Sequence, residues 1–270
     1  MASTTDKRRA FRKLHESGCF VLPNPWDVGS AKILQHLGFK ALASTSAGMA
    51  WALGRADGQV SLDEVLLHLS LLAHATDLPL NADFENGFAD DPGEVARNVS
   101  LAVDTGVSGL SIEDYAGTAE KGLYDFGLAV ERVAAAREAT DKTASGVVLT
   151  ARSEGFIRGA PDMDETIRRL QAFSKAGADC LYAPGLRDEA QIRQVVEAVA
   201  PKPFNLLSPG LPVATVAALG VRRISLGGAL AGLAYGAALA AATEIAEQGT
   251  FGAFANATGG RRLNPIFSGS

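Results

Sequence analysis

The strongest constraint on what this chain can fold into is a unit that repeats eight times: a short apolar run, a loop, then residues at helical spacing. The apolar runs fall at 20–24, 41–45, 78–84, 109–114, 147–154, 180–186, 203–207 and 222–227. Each is followed by a helical pattern. Asp27 is placed to cap a helix running to Gly38, and Ser61 to cap one over 62–76. Pro92 suits the first turn of the third helix, where a missing N–H costs nothing. Val95, Val99, Ala102 and Val103 then form one apolar face, as in a helix packed on a sheet. Further helices are predicted at 126–140, at 163–176, around Ile192, Val195, Val196 and Val199, at 213–219 and at 229–247.

Strict strand–helix alternation without a linker points to one parallel sheet covered by helices. A chain of 270 residues matches an α/β fold of the single (β/α)8 TIM-type barrel class, typically ~250 residues. A doubly wound open sheet is the rival arrangement. No apolar run is followed by GxGxxG or GxxxxGK[ST], so a nucleotide-binding reading has little support.

Charge and cysteine content narrow the partners. A formal charge of -5 argues against nucleic acid, whose phosphates select basic surfaces. The only cysteines, Cys19 and Cys180, have no metal-ligand spacing and suit a reducing cytoplasm. The basic segment 1–12 is not followed by the apolar core of a signal peptide, so a cytoplasmic protein is expected. The charge-free stretch 224–243 is rich in Ala and Gly and carries Ser225, Tyr235 and Thr243. It reads as a buried strand and a buried helix rather than a membrane span. The helix 229–247 is apolar nearly all round until Glu244, so one barrel cannot cover it and a second subunit is expected to.

In such barrels, chemistry sits at the C-terminal ends of the strands, and there the polar residues gather. The second strand ends in Ser44-Thr45-Ser46, with Asp57 in the following loop; the third ends in Asp83-Phe84-Glu85-Asn86 and the fourth in Glu113-Asp114. The fifth ends in Arg152-Ser153-Glu154, and the seventh carries Asn205. Carboxylates crowded at one end of neighbouring strands repel one another unless a cation joins them. Hard oxygen ligands select Mg2+ or Mn2+, and Mg2+ takes few direct carboxylates and keeps water. Asp83 is therefore read as the direct metal ligand, with Asp57, Glu85 and Glu113 reaching the metal largely through water. Arg152 is read as an anion clamp, while Asp114 and Glu154 are as readily site carboxylates as they are helix caps or partners of a surface arginine. Thr45 and Ser46 can serve an anionic substrate or cap a helix. His15, His36, His68 and His74 all fall on predicted helices away from the strand ends, which disfavours a histidine-based mechanism.

These residues lie in stretches that resemble the isocitrate lyase/phosphoenolpyruvate mutase superfamily: PNPWDVGSAK at 23–32, ASTSAGMAWALGRADG at 43–58, NADFENGF at 81–88 and GLSIEDY at 109–115. LTARSE at 149–154, AGADCLYAPG at 176–185, FNLL around Asn205 and GVRRISLGGAL at 220–230 continue the match in order. The resemblance implies a homotetramer, a dimer of dimers whose last helix is swapped between subunits. It also implies enolate chemistry on a small anionic 2-oxo or 2-hydroxy acid chelated by Mg2+. Carried over by position, Asp83 anchors the metal, and Asp57, Glu85 and Glu113 form its outer shell. Thr45, Ser46 and Ala47 cradle the substrate carboxylate, and Arg152 and Asn205 hold its other polar groups. Isocitrate and methylisocitrate lyases carry a Lys-Lys/Arg-Cys-Gly-His loop after the fourth strand, whose Cys protonates the leaving fragment. Here the loop, residues 115–124, has neither Cys nor His, and the Lys-x-Asn-Ser-like loop of phosphonomutases is missing too. Lys121, with Tyr115 or Tyr124 nearby, is its only polar donor set. The catalytic candidates are thus Arg152, Glu113, Asp57 and Lys121. The leading expectation is a Mg2+-dependent lyase or decarboxylase of a 2-oxo or 2-hydroxy dicarboxylate. A phosphonate mutase or hydrolase and a non-catalytic small-acid-binding barrel are the alternatives.

Overall fold

Every strand pairs parallel to its neighbours, in the order β1-β8-β7-β6-β5-β4-β3-β2, in the computed structural model, which describes residues 2–142, 145–208 and 210–268. The strands are β1 (Phe20–Leu22), β2 (Leu42–Ala43), β3 (Leu80–Asp83), β4 (Gly109–Glu113), β5 (Val148–Arg152), β6 (Cys180–Tyr182), β7 (Phe204–Leu207) and β8 (Arg223–Ser225). The ring is a (β/α)8 TIM barrel. Between β1 and β2 it is joined by one backbone bond, Ala43 N–H to Pro23 O at 3.0 Å. The buried Asn24 side chain strengthens this seam. Its Nδ2 donates to Ser44 O at 2.8 Å, and its Oδ1 accepts from Leu226 and Gly227 N–H at 2.8 and 3.0 Å.

The helices are α1 (Thr4–Leu14), α2 (Val28–His36), α3 (Ser46–Ala52), α4 (Leu62–Ala75), α5 (Pro92–Asp104), α6 (Phe126–Lys142), α7 (Met163–Lys175), α8 (Glu189–Val199), α9 (Val213–Ala218), α10 (Ala229–Gln248) and α11 (Gly260–Ser268). Where the sequence carries a start signal, the start is where it predicts. Asp27 and Ser61 each make a reciprocal capping box with the third helical residue, and Pro92 occupies the first turn of α5. Val95, Val99, Ala102 and Val103 all turn into the core between that helix and the sheet.

Several expectations need correction. The strands are shorter than the apolar runs, because the residues at the run ends leave the ladder to build the mouth of the barrel. The basic segment at the N-terminus, read from sequence only as lacking a signal-peptide core, forms α1. Its cations work as caps: Lys7 Nζ donates to the carbonyls of Ala73 and Thr76, Arg8 to those of Val103 and Val107, and Arg12 to that of Gly146. Phe11 from this helix plugs the bottom of the barrel at 0% exposure, packed with Leu22, Ala41, Ala43, Val148 and Cys180. Gly109 makes room for it, since a Cβ there would stand 2.6 Å from the Phe11 ring and 2.8 Å from Asn81 Oδ1.

His15 ends α1 and sits edge-on to Phe11 and Phe20. Burial, with Arg223 adding to it, pushes its pKa down to about 3, so the ring is a neutral packing group at physiological pH. Part of the long loop after β2 is helical too, as α3. The chain approaches closely there, because a Cβ on Gly48 would meet Thr45, Trp26 and Ala231 at 2.6, 2.8 and 3.2 Å. The helix α10, which the sequence predicts one barrel cannot cover, stands largely exposed in the single chain. Its first turn rests on the barrel, and of its residues only Ala231 is buried. Leu233, Tyr235 and Leu239 project outward. By length and composition α10 is apolar enough to cross a membrane.

Candidate active site

The C-terminal ends of the strands enclose a cavity of about 420 Å³. Asp57, Asp83, Glu85, Glu113, Arg152, Thr45, Ser46, Ala47 and Asn205 all line it, so nearly every residue singled out from the sequence converges there. Lys121 does not. Its ammonium lies outside, 2.8 Å from Asp90 Oδ2, and both side chains are more than half exposed.

Asp83, the last residue of β3, is held on both oxygens. Oδ1 accepts from Arg152 Nη1 at 2.7 Å, and Oδ2 accepts from the Ser46 N–H at 3.0 Å. Glu113, the last residue of β4, places Oε2 3.1 Å from Arg152 Nη2. Arg152, which ends β5, also donates from Nε and Nη2 to Glu154 Oε1 at 3.0 and 2.8 Å. One guanidinium thus serves three carboxylates. Burial opposes its charge, and Glu113, Glu154 and Asp83 outweigh that cost, so its pKa stands well above the usual value. Glu113 has the weakest share of Arg152. Burial drives its pKa well up despite Arg152, and Glu154 and Asp83 push it the same way.

Glu85 follows β3 in a left-handed conformation at φ 45, and Phe88 repeats that at φ 58. Such backbone costs about 1–3 kcal/mol per non-glycine residue, so the surroundings must enforce it. Arg132 from α6 does so. It is fully buried and donates to the carbonyls of Asn86, Ala89 and Asp90. Asn98 holds Gly87 O at 2.9 Å. The Glu85 carboxyl is pushed up to about 7 by burial, with the charges of Asp83 and Asp57 adding to it.

That mutual repulsion tests whether the site fits a cation. The charges of Asp83 and Asp57 disfavour a third negative charge on Glu85, and the cavity lining offers neither His nor Cys. A donor set of carboxylate oxygens without His or Cys suits Mg2+ or Mn2+. Among the described residues no three acidic, His or Cys side chains form a direct ligand cluster, so water would have to complete the shell, as Mg2+ favours. Asp83 is the strand-end carboxylate clamped from two sides, which fits the anchoring position.

Neither Asp114 nor Glu154 caps a helix, and Glu154 pairs with the exposed Arg158 as well as with the buried Arg152. Asp114 is buried behind the site, accepting from the Glu154 N–H at 2.8 Å and Arg169 Nη1 at 3.2 Å, and burial raises its pKa to about 6. Glu154, at 0% side-chain exposure, orients Arg152 and also accepts from Arg158 Nε at 3.2 Å. Thr45 caps α3 with its hydroxyl on the Gly48 N–H at 3.3 Å, and it lines the cavity as well. Asn205 is fixed at both ends, by Arg223 Nε at 2.8 Å and Ser225 Oγ at 3.0 Å.

Sequence reasoning missed Arg158 and Arg223 as cavity residues. Arg158 is a lone arginine in a Gly-rich loop, which has no pattern to mark it. Arg223 stands in the eighth apolar run, and its inward-facing position shows only once the ladder register is known.

The sequence profile of the phosphoenolpyruvate phosphomutase family matches residues 11–246. A solved structure from Burkholderia cenocepacia J2315, described as a lyase/mutase, is 45% identical over 98% of this chain and 96% of its own, with a TM-score of 0.95. Oxaloacetate decarboxylase of Pseudomonas putida GB-1 is 32% identical, covering 78% of this chain and 73% of the relative. The 2-methylisocitrate lyase of Escherichia coli K12 is also 32% identical, over 63% of this chain and 58% of its own length. With the profile spanning residues 11–246, the chain belongs to the phosphoenolpyruvate phosphomutase family.

Proposed function

We propose that this protein is a Mg2+-dependent carbon–carbon lyase or decarboxylase that cleaves a small 2-oxo or 2-hydroxy dicarboxylate through an enolate. The observation that carries the reading is the carboxylate group Asp57, Asp83, Glu85 and Glu113 converging with Arg152 in one cavity. The relatives named a decarboxylase and a lyase support the same chemistry. A Mg2+ held by Asp83, with the other carboxylates acting through water, supplies a Lewis acid for the negative charge that develops as the bond breaks.

The chain's own groups do the rest. Arg152, locked by Glu154 and Asp83, presents a fixed positive charge at the cavity wall and costs no reorganisation when charge develops. Asn205, held by Arg223 and Ser225, keeps one orientation for a polar group of the substrate. The loop after β4 folds back on itself, Ala116 N–H to Gly122 O at 2.8 Å, and brings Tyr115 over the cavity to limit water. With Mg2+ and a panel of 2-oxo acids, 2-hydroxy acids and phosphonates, pyruvate is the expected product. Release of inorganic phosphate without pyruvate would transfer the reading to carbon–phosphorus chemistry.

The same proposal includes a homotetramer in which α10 is covered by another subunit. The exposed Leu233, Tyr235 and Leu239 on a helix with almost no buried residue support it, because burying such area stabilises association by about 25 cal/mol per Å². Sedimentation at micromolar concentration should give a tetramer. A monomer, or partition into lipid vesicles, would mean that α10 has a different partner.

A further inference from the structure

The geometry points to Arg158 as the residue that reads a second, distal anionic group on the substrate, so the site selects dianions whose charges are separated by a carbon spacer. The inference rests on the dicarboxylate reading above and adds the residue that enforces it.

A dianion chelated at one end needs a cation for the other, and the cavity offers few. Arg152 is already engaged: Nη1 is on Asp83, Nε and Nη2 are on Glu154, and Glu113 lies at 3.1 Å, with the side chain only 13% exposed. Arg223 is 2% exposed, with Nε on Asn205 and Nη1 directed to His15 and Asn81. Lys121 is outside the cavity on Asp90.

Arg158 differs from all three. It lines the cavity with its side chain 38% exposed. Its Nε donates to Glu154 Oε2 at 3.2 Å, and its guanidinium lies 3.9 Å from the centre of the Tyr115 ring. Those two contacts fix the plane of the fork. Among the described residues its Nη1 and Nη2 donate no hydrogen bond, and the nearest carboxylate, Glu113, is 3.6 Å from Nη2, beyond hydrogen-bond distance. A planar pair of unspent N–H donors is the geometry that takes a carboxylate in two parallel bonds. The neighbouring Ile157, exposed and also lining the cavity, offers an apolar contact to the spacer carbon. Tyr115 comes from the loop after β4 and Arg158 from the loop after β5, so an anion bound there also ties the two loops together.

The test uses lactate and malate, which share the 2-hydroxy acid head and differ by the distal carboxylate. Each is titrated calorimetrically in the presence of Mg2+ into the parent, Arg158→Gln and Arg158→Lys. The parent should bind malate at least about tenfold more tightly than lactate, the value of a charge-assisted bond. Arg158→Gln should remove that difference while leaving lactate and Mg2+ affinity within about twofold, and Arg158→Lys should restore part of it, since an ammonium keeps the charge without the fork. Equal weakening of lactate, malate and Mg2+ in Arg158→Gln would overturn the inference, because Arg158 would then act through Glu113 and Glu154. A parent that binds both acids equally well overturns the inference alone and leaves the metal-acid site standing. A parent that binds neither overturns the dicarboxylate reading together with it.

Discussion

Asp83→Ala should lose Mg2+ affinity by at least about a hundredfold and lose metal-dependent turnover with it, since even partners one shell further out typically cost 10–100-fold. The parent carboxylate is oriented by Arg152 at 2.7 Å and by the Ser46 N–H at 3.0 Å, so it presents a fixed geometry to a cation. Asp57, on an exposed loop, is expected to matter less when changed to Asn. The fold should survive Asp83→Ala, because Arg152 keeps Glu113 and Glu154 as partners and the removed charge also relieves Glu85. Calorimetric titration of both proteins with Mg2+ and Mn2+, beside a thermal melt, gives the answer. A variant that binds metal as tightly as the parent would place the anchor elsewhere in the carboxylate group.

The second large effect concerns the acid that the loop after β4 lacks. Turnover of 2-methylisocitrate and isocitrate should be at least about a hundredfold below that of oxaloacetate, within the 10²–10⁴-fold typical of a missing general acid. The tertiary structure strengthens this expectation beyond the missing Cys and His. Tyr124 donates its hydroxyl to Asp90 at 2.6 Å, and burial, helped by that bond, pushes its pKa up to about 12. Lys121 is paired with the same Asp90, and Tyr115 has its ring face covered by Arg158. None of the three is placed to protonate a leaving carbanion. Carbon dioxide departs unprotonated, so decarboxylation needs no such group. Side-by-side kinetics with Mg2+ present decide the matter. Rapid cleavage of 2-methylisocitrate would show that another residue delivers the proton.

The features legible in the amino-acid order are those written within a few residues of one another. The alternation of apolar runs and helical spacing specified eight strand–helix units. Local hydrogen-bonding chemistry placed the starts at Asp27, Ser61 and Pro92, because a capping bond is made three residues away. The carboxylates Asp83, Glu85 and Glu113 were legible because strand ends are where such barrels keep their chemistry, and a strand end can be read from its own run.

Other features emerge only from the folded ring. The start of the chain is too rich in charged and polar residues to announce α1 as a packed helix, yet Phe11 at one position fills the barrel bottom. Arg152 looks like a free anion clamp in sequence, and its partner Asp83 is 69 residues away. Glu154 is ambiguous in sequence between a site carboxylate and a cap, and the folded ring makes it the buried counter-charge that fixes Arg152. Arg223 reaches His15 across 208 residues, and through Asn205 it supports the cavity floor. The physical reason is the same in each case. Periodicity and capping are short-range and set by neighbours along the chain, whereas which cation is spent and which remains available depends on charges that meet only when the ring closes.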